Sequence, residues 1–202
     1  MPFGWDIGWN MVDRFSICLP FTLKQECVVY TGTPDDWSNP KNFSNDHHDP
    51  GGKTQCGIIQ REYDLWRKAH GLATQDVRKI TQDEGTAIYR ISYWQPHGPF
   101  LPAGLDLSFF DESVNAGDTE AIKILQVALG IPEDGDWGPQ TQAAATLASM
   151  DLAAHIERFT SRRIEVYKES KGFQYFGTDW VRRAEQIGAA ALQMAKEVSL
   201  VS

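Results

Sequence analysis

The stretch Phe15-Ser16-Ile17-Cys18-Leu19-Pro20-Phe21-Thr22-Leu23-Lys24-Gln25-Glu26 decides the fold class. Phe15, Cys18 and Leu19, with Met11 before them, fall on one helical stripe, because residues three and four apart share a helix face. Pro20 removes a backbone donor and is expected to interrupt the helix, which restarts to carry Leu23 and Glu26. Behind it, residues 31–53 are rich in Asp, Asn, Pro, Gly and Ser and read as a long loop. Gly57-Ile58-Ile59 reads as a short strand, and Gln60 to His70 as a helix stopped by Gly71. The pattern is mainly α with a small β element beside the loop.

The remaining sequence extends the helical pattern. Thr81-Gln82-Asp83-Glu84 has capping-box spacing, each side chain placed to satisfy a backbone donor of the other. The helix behind it carries Ala87, Ile88 and Ile91 and ends near Trp94. Pro96 to Gly104, with three prolines and two glycines, marks a boundary. It divides the chain into helical lobes of residues 1–98 and 99–202, packed together. In the second lobe Asp118 is placed to cap Thr119 to Leu129, with Gly130 as the stop. Pro139 suits a first helical turn, Asp151 is placed to cap a helix using Leu152, Ile156 and Phe159, and Thr178 to cap the last one.

Composition narrows the function classes. The 202 residues are 42% apolar and 23% charged, which fits a folded chain with a real core. A net charge of -8 argues against nucleic acid, whose binders present a basic stripe. No apolar run reaches the roughly twenty residues that span a bilayer. The helix from Trp180 to Val201 has an amphipathic face, but its mixed charges favour core packing over membrane binding. The opening Met1-Pro2-Phe3-Gly4-Trp5-Asp6 lacks the basic region and apolar core of a secretory signal. A chain made in the cytoplasm, or one already processed, is therefore expected. Three cysteines, Cys18, Cys27 and Cys56, permit at most one internal disulfide with a thiol left over.

For chemistry, Glu26 is the leading candidate. A carboxyl among apolar neighbours is desolvated and stays protonated toward neutral pH, and a glycosidic oxygen leaves poorly unless such an acid protonates it. The following loop offers Asp35, Asp36, Asp46 and Asp49 as second carboxylates, and the turn from Asp49 to Thr54 is able to aim both of its end residues into a cleft. Tyr93, Trp94 and Trp37 are candidates for stacking on sugar rings, although an aromatic pair ending a helix is more often core. Asp111 and Asn115 share a helix face and read as a buried polar link. Asp134 and Asp136 flank a glycine but lack the later glutamate of a calcium loop, so they read as a turn. The spacing of the cysteines with His47 and His48 matches no compact zinc site. Neither metal nor cofactor is expected.

Phe21 to Glu26, Asn45-Asp46-His47-His48-Asp49-Pro50-Gly51-Gly52-Lys53-Thr54, Gly57-Ile58 and Ile88-Tyr89-Arg90-Ile91-Ser92-Tyr93-Trp94 resemble the signature of glycoside hydrolase family 108, a family of bacterial and phage muramidases. Leu101-Pro102, Phe110-Asp111, Val114 to Gly117, Leu125-Gln126, Asp134 to Thr141 and Trp180 to Arg183 are similar to the peptidoglycan-binding module that usually follows. The matches run from about Phe15 to Arg183. The chain departs from the pattern in carrying Glu26-Cys27-Val28 where the family has E-G-G, and in an insertion within residues 29–44. The resemblance implies a lysozyme-type hydrolase that cuts the β-1,4 bond between N-acetylmuramic acid and N-acetylglucosamine. Glu26 would be the general acid, with Asp49, Thr54 and Asp46 positioning water or lining the cleft. It further implies peptidoglycan as the partner and action on the wall, as a phage or prophage endolysin, once a holin has opened the membrane. The competing readings are a non-catalytic wall-binding or phage structural protein on the same fold, and a lytic transglycosylase.

Overall fold

The computed structural model describes residues 13–45 and 52–200. Helix α1, Phe15–Glu26, runs unbroken through Pro20, contrary to the interruption expected there. An internal proline ordinarily costs about 3 kcal/mol. The carbonyl it strands belongs to Ser16, an exposed residue. On the other face Phe15, Leu19 and Leu23 are buried, each stabilising by about 1.5–3 kcal/mol. The apolar face therefore outweighs the proline.

The segment expected as a plain loop is ordered around two side chains. The Asp36 carboxylate accepts from the backbone N–H groups of Thr31, Gly32 and Thr33 at 2.7–3.2 Å. Asn42 bonds both the N–H and the carbonyl of Val29, at 2.7 and 2.8 Å. Two single turns, Pro34–Ser38 and Pro40–Asn42, lead into strand β1, Phe43–Asn45. Strands β2, Lys53–Gln55, and β3, Ile58–Ile59, complete an antiparallel sheet in the order β1-β2-β3. Phe43 stands opposite Gln55, and Thr54 opposite Ile59.

Helix α2, Gln60–Ala69, ends at His70 with Gly71 left-handed beyond it. Both bonds of the capping box form at the start of α3, Gln82–Tyr89. A π-helical turn, Arg90–Trp94, extends α3 and turns Tyr93 and Trp94 to their positions.

Helix α4, Leu105–Ala116, is the centre of the molecule: every residue from Leu105 to Ser113 is buried. It packs against α1 and three later helices, α5, Asp118–Leu129, α7, Leu152–Glu169, and α8, Phe173–Ser199. Gly104 at its start has φ 94°, and a side-chain carbon there would lie 2.3 Å from the Ala191 carbonyl oxygen in α8. Only glycine permits so close an approach. Arg14 ties α1 to α4 through Asp106 (2.5 Å) and the Leu101 carbonyl (2.6 Å). Phe110 meets the rings of Phe15 and Trp94 at 5.9 and 5.6 Å, both edge-on, an arrangement worth about 0.5–1.5 kcal/mol per pair beyond burial. One apolar cluster runs from Phe15 to Ala195.

Pro139 opens α6, Pro139–Leu147, and Gly130 closes α5, as the sequence predicts. Two caps differ. Gly117, not Asp118, precedes α5, and the Asp118 carboxylate instead pairs with His97 at 2.9 Å. Helix α8 begins at Phe173, so Thr178 is interior. Ser170 starts it, its carbonyl accepting the Phe173 N–H at 3.0 Å and its hydroxyl the Gly172 N–H at 3.2 Å.

Candidate active site

Glu26 closes α1, and the chain then turns extended at Cys27 (φ −98°). Cys27 is joined to Cys56 by a disulfide, while Cys18 is free and buried. Burial pushes the Cys18 thiol well above its ordinary value. Cys56 and Gly57 form the two-residue turn between β2 and β3, both with positive φ (44° and 75°), the geometry that matches the twist of a tight hairpin. The disulfide and a 2.8 Å bond from the Tyr89 hydroxyl to the Cys56 carbonyl hold this unusual backbone. The turn lies against Glu26: a side-chain carbon on Gly57 would stand 2.8 Å from Glu26 Oε2 and 2.6 Å from the Tyr89 hydroxyl. The disulfide thus ties the residue after Glu26 to the turn that abuts its carboxyl.

From the last helix, α8, Arg183 reaches Glu26 Oε1 at 2.7 Å. The same guanidinium grips Asp111 of α4 by two bonds of 3.0 Å. Asp111 also pairs with Arg163 of α7 at 2.7 Å, and Arg163 pairs with Glu112. Tyr167 donates to Glu112 at 2.8 Å and accepts from Asn115 at 2.8 Å. Glu26, Asp111 and Glu112 therefore face two guanidiniums, and the cluster is one negative charge in excess when all five groups are ionised. Low-dielectric surroundings make such an excess costly. Burial would lift the Asp111 carboxyl, but Arg163 and Arg183 together hold it below the usual range. Burial prevails at Glu26, raising its carboxyl against the pull of Arg183, and likewise at Glu112 against Arg163 and Tyr167. The Glu26 side chain retains 17% exposure.

The other sequence candidates are distributed unequally. Tyr93 is half-buried and donates to Glu62 at 3.1 Å, its ring 5.8 Å from that of Tyr89. Trp94 is 3% exposed, wedged between Phe15 and Phe110. Trp37 is also 3% exposed, packed on Gly85 and edge-on to Tyr89. Neither indole offers a free face to a sugar; burial of their large apolar rings makes both part of the core. Thr54 is half-buried in β2, and its hydroxyl donates to the Gly52 carbonyl at 3.2 Å. Asp46 and Asp49, like Met11, His47 and His48, lie outside the described residues. Asp35 is exposed, and Asp36 is engaged in ordering its loop. Asp134 closes a turn, accepting the Asp136 N–H at 2.9 Å and the Gln126 amide at 2.6 Å.

Sequence reasoning missed Arg183 and Tyr89 as parts of this site, although both stand in motif segments quoted above. It missed Glu62 altogether, since a glutamate in a helical first turn is commonplace. What the arrangement offers chemically is a desolvated, immobilised carboxyl able to deliver a proton, beside a tyrosine-lined edge carrying another glutamate.

Residues 40–117 match the family model described as Glycosyl hydrolase 108, which supports a glycoside hydrolase. The match takes in the sheet, α2, α3 and α4 and begins beyond Glu26. Among solved structures, the chain is similar to "Structure of Brucella abortus SagA", with 27% identity over 90% of this chain and 95% of that one, at a TM-score of 0.71. No curated protein matches the chain.

Proposed function

We propose that this chain is a peptidoglycan hydrolase of the muramidase type, cutting the β-1,4 bond between N-acetylmuramic acid and N-acetylglucosamine with Glu26 as the general acid. The match of residues 40–117 to glycosyl hydrolase 108 supports the reaction class. The observation that carries the residue assignment is the Glu26 carboxyl, raised by burial and clamped between Arg183 and the Cys56-Gly57 turn. An acid for this task needs a proton near working pH and a fixed direction in which to give it. Glu26 has both. Its proton passes to the bridging oxygen as the anomeric carbon–oxygen bond breaks, and water completes the hydrolysis.

Residues 99–202, read as a wall-binding lobe by sequence resemblance, also complete the site by supplying Asp111 and Arg183. Tyr93 is the aromatic group left to contact sugar, because Trp37 and Trp94 are core. Wall access through a membrane opened by a holin-type protein belongs to the same reading. No described helix is long and apolar enough to cross a membrane.

Mass spectrometry of digested peptidoglycan tests the proposal. Fragments ending in reducing N-acetylmuramic acid are expected. Reducing N-acetylglucosamine ends would assign the other glycosidic bond, anhydro-muramic ends would indicate a lytic transglycosylase, and absence of cleavage would leave a wall-binding protein.

A further inference from the structure

Glu62 lies in the first turn of α2, where backbone N–H groups favour a negative charge and where the capping residue, Ile59, supplies no side-chain bond. Its carboxylate is half-buried and accepts from the Tyr93 hydroxyl at 3.1 and 3.4 Å. Tyr93 is tilted against Tyr89, with ring centroids 5.8 Å apart, and the Tyr89 hydroxyl sits with Glu26 Oε2 at the Gly57 turn. Both phenols are raised by burial and feel the charges of both glutamates. Glu26 and Glu62 thus stand on two sides of one tyrosine pair.

Their surroundings differ. Glu26 is paired with Arg183 and, through Asp111, with a buried charge cluster. Among the described residues no cation pairs with Glu62. The cations nearby are otherwise engaged: Arg67, further along α2, pairs with Glu84 of α3, Lys53 of β2 pairs with Asp76, and Arg183 is held beyond Tyr89. Arg61 is exposed on α2. Burial raises the Glu62 carboxyl, and the Tyr93 bond opposes that rise. Two carboxyls in unlike settings are the arrangement from which acid and base roles divide.

We propose that Glu62, oriented by Tyr93, is the second carboxyl of the site and acts as the base that activates water. The assignment rests on the glycoside-hydrolase reading above. Glu26 gives its proton to the leaving oxygen while the bond from that oxygen to the anomeric carbon breaks. Water forms the new bond to that carbon and gives its proton to Glu62, and solvent returns the proton to Glu26. No other co-reactant is needed, and attack from the opposite face inverts the anomeric carbon.

The test uses the full chain and a soluble peptidoglycan oligomer. Glu62→Gln should lower kcat by about 10²-fold or more, leave KM within about twofold, and abolish the low-pH limb of the kcat profile, with unchanged thermal melting. Tyr93→Phe keeps the carboxylate but removes a bond that favours its charged form, so that limb should move to higher pH. Nuclear magnetic resonance of the wild-type reaction should show the α-anomer of the new reducing end first. A β-anomer first, an intact low-pH limb in Glu62→Gln, or loss of that limb in Asp49→Asn alone overturns the assignment. If Glu26→Gln is inactive while Glu62→Gln is fully active, the hydrolase reading stands and the role of Glu62 falls. A wild type that releases no reducing ends overturns both.

Discussion

Replacing Cys27 and Cys56 together by serine should destabilise the protein and slow its chemistry at the same time. The bridge closes a segment of sequence separation 29. The loop-entropy relation for a closed segment of that length gives about 3.6 kcal/mol at 25 °C. For a domain near 200 residues, each kcal/mol moves the melting temperature by about 2–4 °C, so a fall of roughly 7–14 °C is expected. Activity should fall well below the melting range, because the bridge holds the residue after Glu26 to the turn that abuts its carboxyl. A displacement of about 1 Å at a reacting group is able to cost on the order of 10²-fold in rate. Calorimetry and kcat at 25 °C, each with and without dithiothreitol, measure both effects. Reductant should bring the wild type to the level of the double variant and leave that variant unchanged. A double variant that melts within about 2 °C of wild type, or a wild type indifferent to reductant, would refute the reasoning.

Glu26→Gln should melt like the wild type yet lose about 10²-fold or more in peptidoglycan clearing, since the amide has no proton to give; near-normal clearing would remove the acid assignment. Arg183→Met takes away a cation that favours ionised Glu26, so the alkaline limb of the pH–rate profile should shift upward. The same change leaves buried Asp111 short of a partner, at about 3–5 kcal/mol near neutral pH. That deficit should shrink in acid, first as Asp111 is protonated in the variant, where loss of Arg183 raises its carboxyl, and finally as pH falls through its lowered wild-type value; paired pH–rate and pH–melting series read both. A fragment of residues 1–102 lacks Phe110 and Asp106, the partners of Phe15, Trp94 and Arg14, and should show no cooperative melt by circular dichroism. Expression alone in a bacterium should be tolerated, with turbidity falling only after chemical permeabilisation of the membrane; spontaneous lysis would contradict dependence on a holin.

Much of the fold was legible because it rests on local chemistry. The Thr81–Glu84 box, the stops at Gly71 and Gly130 and the entry at Pro139 each satisfy backbone groups with residues a few positions away. The misreadings occurred where tertiary packing decides. Pro20 is tolerated because α4 and its neighbours bury the opposite face of α1. Trp37 reads as an exposed loop aromatic until Gly85, 48 positions on in the sequence, is found beneath its ring. The start of α8 at Phe173 depends on a turn at Ser170 rather than on a capping threonine. Glu26 could be picked out by its place at the end of an apolar helix and by its motif. Its partners could not: nothing local to Arg183 says that it spans Asp111 and Glu26, and nothing in the first turn of α2 distinguishes Glu62 from a solvated helical glutamate.

The reach of Arg183 across the molecule also sets when a new chain becomes competent. The neighbouring contact between α1 and α8, Gln25 to Gln186 at 3.2 Å, joins positions 161 residues apart. At about 5–20 residues per second, roughly ten to thirty seconds pass on the ribosome between the synthesis of Glu26 and that of its guanidinium partner. Until then the acid has no clamp, Asp111 lacks one of its two cations, and α4 lacks the backbone of Ala191 against which Gly104 packs. Contacts so distant in sequence also form late in folding, since closing the intervening chain costs entropy before the contacts repay it. A nascent or truncated chain therefore carries Glu26 in an unassembled setting. Under the proposed assignment of Glu26, hydrolysis is withheld until α8 has been made and docked.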